Sequence, residues 1–325
     1  MKSKTSRTVS APQTAGPAAS EPPAITSAGC LLNGKQWRLM KGDCIELMPT
    51  LPAKCVDFAV FSPPFPSVYA YTSEAADIGN SEDLNTEAKL HLSWFYRQLA
   101  RVMKPGRVVC VHVQQIVRMK RAGEQGLFDF RGFNIRIAER AGLIFEQDIP
   151  ITKNPQAQAI RTKSRELQFA GLERDRARSR PSLPDYILKF VAPGENAVRI
   201  DNKEVSRSEW IEWAEGVWTW HEIKATDTLN TTEAKGPDDT KHICPLQLGA
   251  IDRLVRLYSQ PGEVVFSPFA GVGSEGFESV KRGRRFIGFE LKDEYYRAAI
   301  KNLTRAEKLK VDADKTLFDE LEAVT

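Results

Sequence analysis

The run Val56-Asp57-Phe58-Ala59-Val60-Phe61 reads as a buried strand, and it stops abruptly at Ser62-Pro63-Pro64-Phe65. Neither proline carries an N–H, and each holds φ near about −65°, so the chain must leave the sheet there with carbonyls pointing away from any ladder. Such a strand end can hold an exocyclic amino group. Ser62 Oγ and the Pro63 carbonyl can each accept one N–H, while Phe65 offers a flat apolar face beside them. The plain alternative is a stiff turn, and the tetrapeptide alone does not separate the two.

The chain has 325 residues, 42% hydrophobic and 27% charged, which suits a globular protein of one large domain with an insertion, or of two domains. Because no run of about 18 apolar residues occurs, no membrane span and no membrane partner are expected. Residues 1–28 are rich in Ala, Pro, Ser and Thr without an apolar stretch, so a disordered tail is expected rather than a signal peptide. Five cysteines (Cys30, Cys44, Cys55, Cys110, Cys244) stand singly and only four histidines accompany them, so neither a metal site nor a disulfide framework is signalled. A reducing compartment is expected. The net charge of +4 is compatible with a polyanionic partner, and its placement matters more than its size.

Along the chain, Gln36–Met40 predicts a strand and Lys41-Gly42-Asp43 a turn, with Asp43 capping a helix through about Leu51. After the Val56 strand, a helix over about Thr86–Met103 and a strand over Arg107–Val113 give the order of a parallel βαβ crossover. Residues 131–151 repeat helix and strand, so the class is α/β. From 154 to 240 the pattern turns basic and irregular, with one more strand at Tyr186–Phe190. Within it Arg161, Lys163, Arg165, Arg174, Arg176, Arg178 and Arg180 face only three acids, a charge run that is either a solvated face or a polyanion contact. Trp210, Trp213, Trp218 and Trp220 read better as a small core than as a stacking platform. His91 and His112 read as packing residues on a helix and a strand, because no carboxylate or cysteine constellation accompanies them in sequence.

Pro245 is placed in the first turn of an amphipathic helix over 245–259. A strand at Glu263–Phe266 then runs into Ser267-Pro268-Phe269-Ala270-Gly271-Val272-Gly273-Ser274-Glu275-Gly276, followed by a helix over Phe277–Arg282 and a strand ending at Glu290. Glycines at this turn let backbone approach a ligand, and Glu290 is placed to accept from both hydroxyls of a ribose. The spacing formally matches a dinucleotide fingerprint, but only 35 residues follow Glu290 and they hold no further strand-helix pair. The sheet must therefore be completed by strands from earlier in the chain.

The two motifs together resemble the amino-methylating DNA methyltransferases, in the permuted order with the Ser-Pro-Pro-Phe region first and the S-adenosylmethionine half last. Lys41-Gly42-Asp43-Cys44 is similar to the family's Gly-Asp turn, and Ser-Pro-Phe-Ala-Gly-Val-Gly to its Asp-Pro-Phe-x-Gly-x-Gly, with Ser267 standing where the family usually has Asp. Lys241-His242-Ile243-Cys244-Pro245 is similar to the segment that leads into the cofactor half.

The resemblance implies a Rossmann-like sheet with helices on both faces, divided as a catalytic half over 29–153, a target-recognition insertion over 154–240 and a cofactor half over 241–325. It implies Ser62, Pro63, Pro64 and Phe65 as catalytic residues, and Asp43, His242, Pro245, Ser267, Phe269, Gly271, Gly273 and Glu290 as holding S-adenosyl-L-methionine. The basic residues of 161–180 would contact DNA, in the cytoplasm of a bacterial or phage-infected cell. The Ser form of the tetrapeptide favours cytosine N4 over adenine N6. A nicotinamide-dependent oxidoreductase and a non-catalytic DNA-binding relic remain alternatives, and a homodimer or a separate restriction endonuclease stay open as partners.

Overall fold

The computed structural model describes residues 36–66, 78–80, 86–118, 126–162, 177, 179–201, 204–231 and 246–322; the tail expected over 1–28 lies outside them. In chain order the strands are β1 (Trp37–Lys41), β2 (Phe58–Phe61), β3 (Val108–Gln114), β4 (Ile116–Val117), β5 (Leu127–Phe128), β6 (Ile144–Ile151), β7 (Asp185–Val191), β8 (Val264–Ser267) and β9 (Arg285–Glu290). The helices are α1 (Cys44–Leu47), α2 (Glu87–Val102), α3 (Phe130–Arg140), α4 (Pro155–Thr162), α5 (Arg207–Trp213), α6 (Leu248–Tyr258), α7 (Ser274–Lys281) and α8 (Asp293–Glu322).

Seven strands form one sheet in the order β1-β9-β8-β2-β3-β7-β6, while β4 and β5 pair separately. β1, β9, β8, β2 and β3 run parallel, and only β7 runs against its neighbours. Every residue of β2 and β8 is buried, as continuous apolar runs in a parallel sheet require. One face, carrying Ala59, Phe61, Val109, Val111 and Phe266, packs against α2 and α3. The other, carrying Phe58, Val60, Cys110, Ile187 and Val265, packs against α6, α7 and α8. Helices thus cover both faces.

The strand read from Val56 begins at Phe58, because Val56 forms only an isolated bridge to Met103. Asp57 is 5% exposed, and its carboxylate accepts from Val264 N (2.9 Å) and from Lys104 Nζ (2.6 Å), tying β2 to β8 at their N-terminal ends. The helix expected to start at Pro245 instead starts at Leu248 with Gln247 as its N-cap, and Pro245 falls outside the described residues. The helix expected from Phe277 opens at Ser274, inside the glycine turn.

Much of the 154–240 stretch is woven into this domain. β7 sits between β3 and β6, and Trp218, fully buried, forms a backbone bridge to Ile151 on the outer edge of β6. Arg284, also fully buried, donates to Glu204 Oε1 (2.8 Å) and to the Ser259 carbonyl (2.6 Å). Arg253 lies over the rings of Trp213 and Trp218 at 5.5 and 5.2 Å, so two of the tryptophans form a small core under α6. Trp210 is 56% exposed and does not join it.

Removing the Asp57 carboxylate leaves the buried Val264 N–H without its acceptor. Asp57→Ala is expected to cost about 1–3 kcal/mol, read as a lower urea midpoint with unchanged slope. A variant as stable as the parent would remove Asp57 from the contacts that join the two central strands.

Candidate active site

Parallel strands present their C-terminal ends along one edge of the sheet, where ligands of open α/β sheets bind. Ser62 follows β2, Ser267 closes β8, Glu290 closes β9 and Asp43 follows β1. Since β2 pairs directly with β8, the Ser-Pro-Pro-Phe end and the glycine turn stand side by side, although about two hundred residues separate them in sequence.

The glycine turn is held by its own backbone. Ala270 N donates to the Phe289 carbonyl (2.8 Å), Gly273 N to the Ala270 carbonyl (2.7 Å), and Gly271 N to Glu290 Oε2 (2.7 Å). The other Glu290 oxygen accepts from Lys292 N (2.8 Å), so the carboxylate is fixed in orientation at the strand tip. Gly271 adopts φ +54°, and a side chain there would point into open space with no protein atom within 4 Å. At Gly276 a Cβ would meet Leu303 and Phe286 at 2.5 and 2.6 Å, so that glycine serves helix packing and not the ligand side.

Asp43 caps α1, its Oδ1 accepting from Ile45 N (2.8 Å), and the Gly42 N–H donates to the Glu290 carbonyl (3.0 Å). The Gly-Asp turn therefore abuts the Glu290 tip. Phe269 is half-buried against Phe61 and Phe95, with ring centroids 5.9 and 5.1 Å away. Ser267 and Ser274 are buried, and the hydroxyl of each lacks a partner among the described residues. Such orphaned hydroxyls beside an open glycine cradle fit a polar ligand. Glu275, next in sequence, is buried, and this burial with the nearby Glu290 charge pushes its carboxyl up to about 8.

Ser62 has partners that the sequence reading missed. Its Oγ lies 3.2 Å from His112 Nδ1 and 3.1 Å from the His112 carbonyl. His112 Nε2 lies 3.2 Å from Asp185 Oδ2, and Asp185 Oδ1 pairs with Lys153 Nζ at 2.6 Å. Asp185 is 3% exposed; burial opposes its charge, but Lys153 and His112 outweigh that and hold the carboxyl down at about 2. The reading of His112 as a packing residue without a carboxylate is corrected: the acid comes from β7, which only the sheet pairing brings beside it. The one available signal was a histidine inside the apolar run Val108–Val113.

Pro63 is buried, Pro64 and Phe65 are half-buried, and Phe65 stands 5.2 Å from Phe130 at a tilt of 42°. His242, Lys163, Arg165, Arg174, Arg176 and Arg178 lie outside the described residues, as does Pro245. The backbone of Arg161 falls in α4, and Arg180 is half-buried just before β7. Among the described residues no group of three or more His, Cys, Asp or Glu is arranged to hold a metal, and no helix is long and apolar enough to cross a membrane.

A family model described as DNA methylase matches residues 56–301. Type II methyltransferase M.BamHI of Bacillus amyloliquefaciens is 23% identical over 291 residues, covering 84% of this chain and 59% of that protein. The chain spans less than two thirds of the length of the curated relatives it matches, 30% in one case. PvuII DNA methyltransferase (cytosine-N4-specific) aligns with TM-score 0.59 at 17% identity over 84% of this chain and 91% of its own. TTHA0409 of Thermus thermophilus, solved with S-adenosyl-L-methionine, gives 0.58 at 21% identity over 83% and 93%. Those likenesses place the fold, and the family match covers the β2, β8 and β9 ends of the site, with Asp43 after β1 outside it. The chain belongs to the DNA methylase family of N6- and N4-type amino-methyltransferases.

Proposed function

We propose that this protein is an S-adenosyl-L-methionine-dependent DNA methyltransferase acting on the exocyclic amino group of a flipped base, with cytosine N4 favoured. The observation that carries the reading is the direct pairing of β2 with β8, which sets Ser62 beside an open glycine cradle. Asp43, Ser267, Phe269, Gly271, Gly273 and Glu290 would hold the cofactor, and His242 and Pro245 would complete its site. The cofactor supplies an electrophilic methyl group on a sulfonium.

An aromatic amine is a weak nucleophile because its lone pair is delocalised into the ring. Ser62 Oγ and the Pro63 carbonyl would accept its two N–H bonds and favour a pyramidal nitrogen, and comparable preorganised groups contribute about 2.7–4 kcal/mol each. The base is out of reach inside a duplex. Flipping costs a few kcal/mol, which stacking on Phe65 at about 1–3 kcal/mol would offset. The basic stretch from Arg161 to Arg180 would then hold phosphates and guanine edges.

Two of the five cysteines, Cys44 and Cys110, are poorly suited to a covalent route. Burial pushes the thiols of Cys44 and Cys110 up, and Asp43 adds to the effect at Cys44, so neither supplies a ready thiolate.

The direct test incubates the protein with methyl-labelled S-adenosyl-L-methionine and unmethylated genomic DNA, then identifies the labelled nucleoside by mass spectrometry. N4-methylcytosine is the expected product; N6-methyladenine would keep the chemistry and change the base, and absence of label on any DNA would overturn the reading. Ser62→Ala should lower turnover at least about a hundredfold while the cofactor Kd stays within about twofold. Gly271→Ala, placing a methyl group in the cradle at a left-handed position, should cost about 1–2 kcal/mol of stability and weaken cofactor binding at least about tenfold by titration calorimetry.

A further inference from the structure

We propose that His112 and Asp185 form a relay behind Ser62 that draws the proton away from the amino nitrogen as it is methylated. The inference rests on the methyltransferase reading and adds residues to it. Neither His112 nor Asp185 touches the base, so both are positioning residues acting through Ser62.

The arrangement is ordered for this task. Ser62 Oγ lies 3.2 Å from His112 Nδ1, and the opposite ring nitrogen faces Asp185 at 3.2 Å, off the line of a good hydrogen bond and with no other partner among the described residues. A proton on Nε2, facing Asp185, leaves Nδ1 as an acceptor to which the serine hydroxyl can turn from the His112 carbonyl, its acceptor at 3.1 Å in the resting protein. Lys153, 2.6 Å from the other Asp185 oxygen, balances the carboxylate charge in the resting state. His112 and Asp185 are only 8% and 3% exposed, a burial that is costly unless the groups are paired, and Lys153 supplies that pairing for Asp185.

In the step, the amino lone pair forms the N–C bond while the C–S bond of the sulfonium donor breaks and leaves its electron pair on sulfur as a thioether. The nitrogen, now cationic, gives one proton to Ser62 Oγ as the Ser62 proton passes to His112 Nδ1. The imidazolium that results is opposed by Asp185 and returns its proton to solvent after the product leaves. Charged groups facing His112 are Asp185 on β7 and Lys153 just past β6; β2 presents the uncharged Ser62. Further along the same face, Cys110, Lys189, Glu146 and Tyr258 form the next titratable cluster.

The test compares the full-length parent with His112→Asn, Asp185→Asn and Ser62→Ala in single-turnover methylation from about pH 5.5 to 8.5, with cofactor Kd measured in parallel. The parent rate should rise with pH as one proton is lost and then level off. His112→Asn should lower the plateau about a hundredfold, abolish that rise and leave cofactor Kd within about twofold. A parent-like rate and profile in His112→Asn would overturn the relay, as would a parallel loss of cofactor binding, which marks a structural role. Asp185→Asn guards against a misfolded histidine variant and should give an intermediate rate. An independent readout is the 15N spectrum of the four histidines in the cofactor-free protein: a proton on Nε2 of His112 is expected, and one on Nδ1 alone overturns the proposal. Loss of activity in Ser62→Ala with His112→Asn unaffected sinks the relay alone, whereas no methyl transfer by the parent sinks the methyltransferase reading and the relay together.

Discussion

Two backbone pairings, Phe58 with Val265 and Ala59 with Phe266, hold the site together. Parallel neighbours so distant in sequence carry a large loop-closure cost, and the buried apolar faces of both strands offset it. Asp57 reinforces the junction from the far end by accepting the Val264 N–H. With that edge closed, the Ser-Pro-Pro-Phe turn and the glycine turn have no freedom to separate. The other site residues attach to this centre: Glu290 through Gly271, and Asp43 through the neighbouring Gly42.

Most of the α/β plan was legible in the chain because local chemistry wrote it. Apolar runs bounded by Pro, Gly and Asp marked β2, β8 and β9, and the 3.6-residue spacing of Leu92, Phe95, Tyr96, Leu99 and Val102 marked α2. The glycine turn was legible too, although not the division of labour within it. Gly271 opens toward empty space while Gly276 is forced by the contact of α7 with Phe286 and Leu303, and no single-residue preference distinguishes the two.

What stayed hidden depends on pairing across the sheet. His112 stands fifty residues from Ser62, and Asp185 a further seventy or so, with β7 inserted antiparallel between β3 and β6. A rule that looks for carboxylates near a histidine in sequence must miss one supplied by a reversed strand. The same holds for the tryptophans: Trp213 and Trp218 are buried where Arg253 and Arg256 of α6 and the apolar cluster of that sheet face meet them, whereas Trp210, equally aromatic, is exposed.

The ion pair of Lys153 with Asp185 sits at the two ends of the stretch 154–184, and Ser182 Oγ donates to the Lys153 carbonyl at 3.4 Å beside it. The two ends of that stretch are therefore held together. Lengthening a connection between fixed ends adds only about 0.6 kcal/mol per doubling, so extra length between these ends would cost β6, β7 and the groups behind Ser62 little. A chain built this way is modular at that position. The grip belongs to the sheet's own strand ends, as a chuck belongs to the drill and not to the bit.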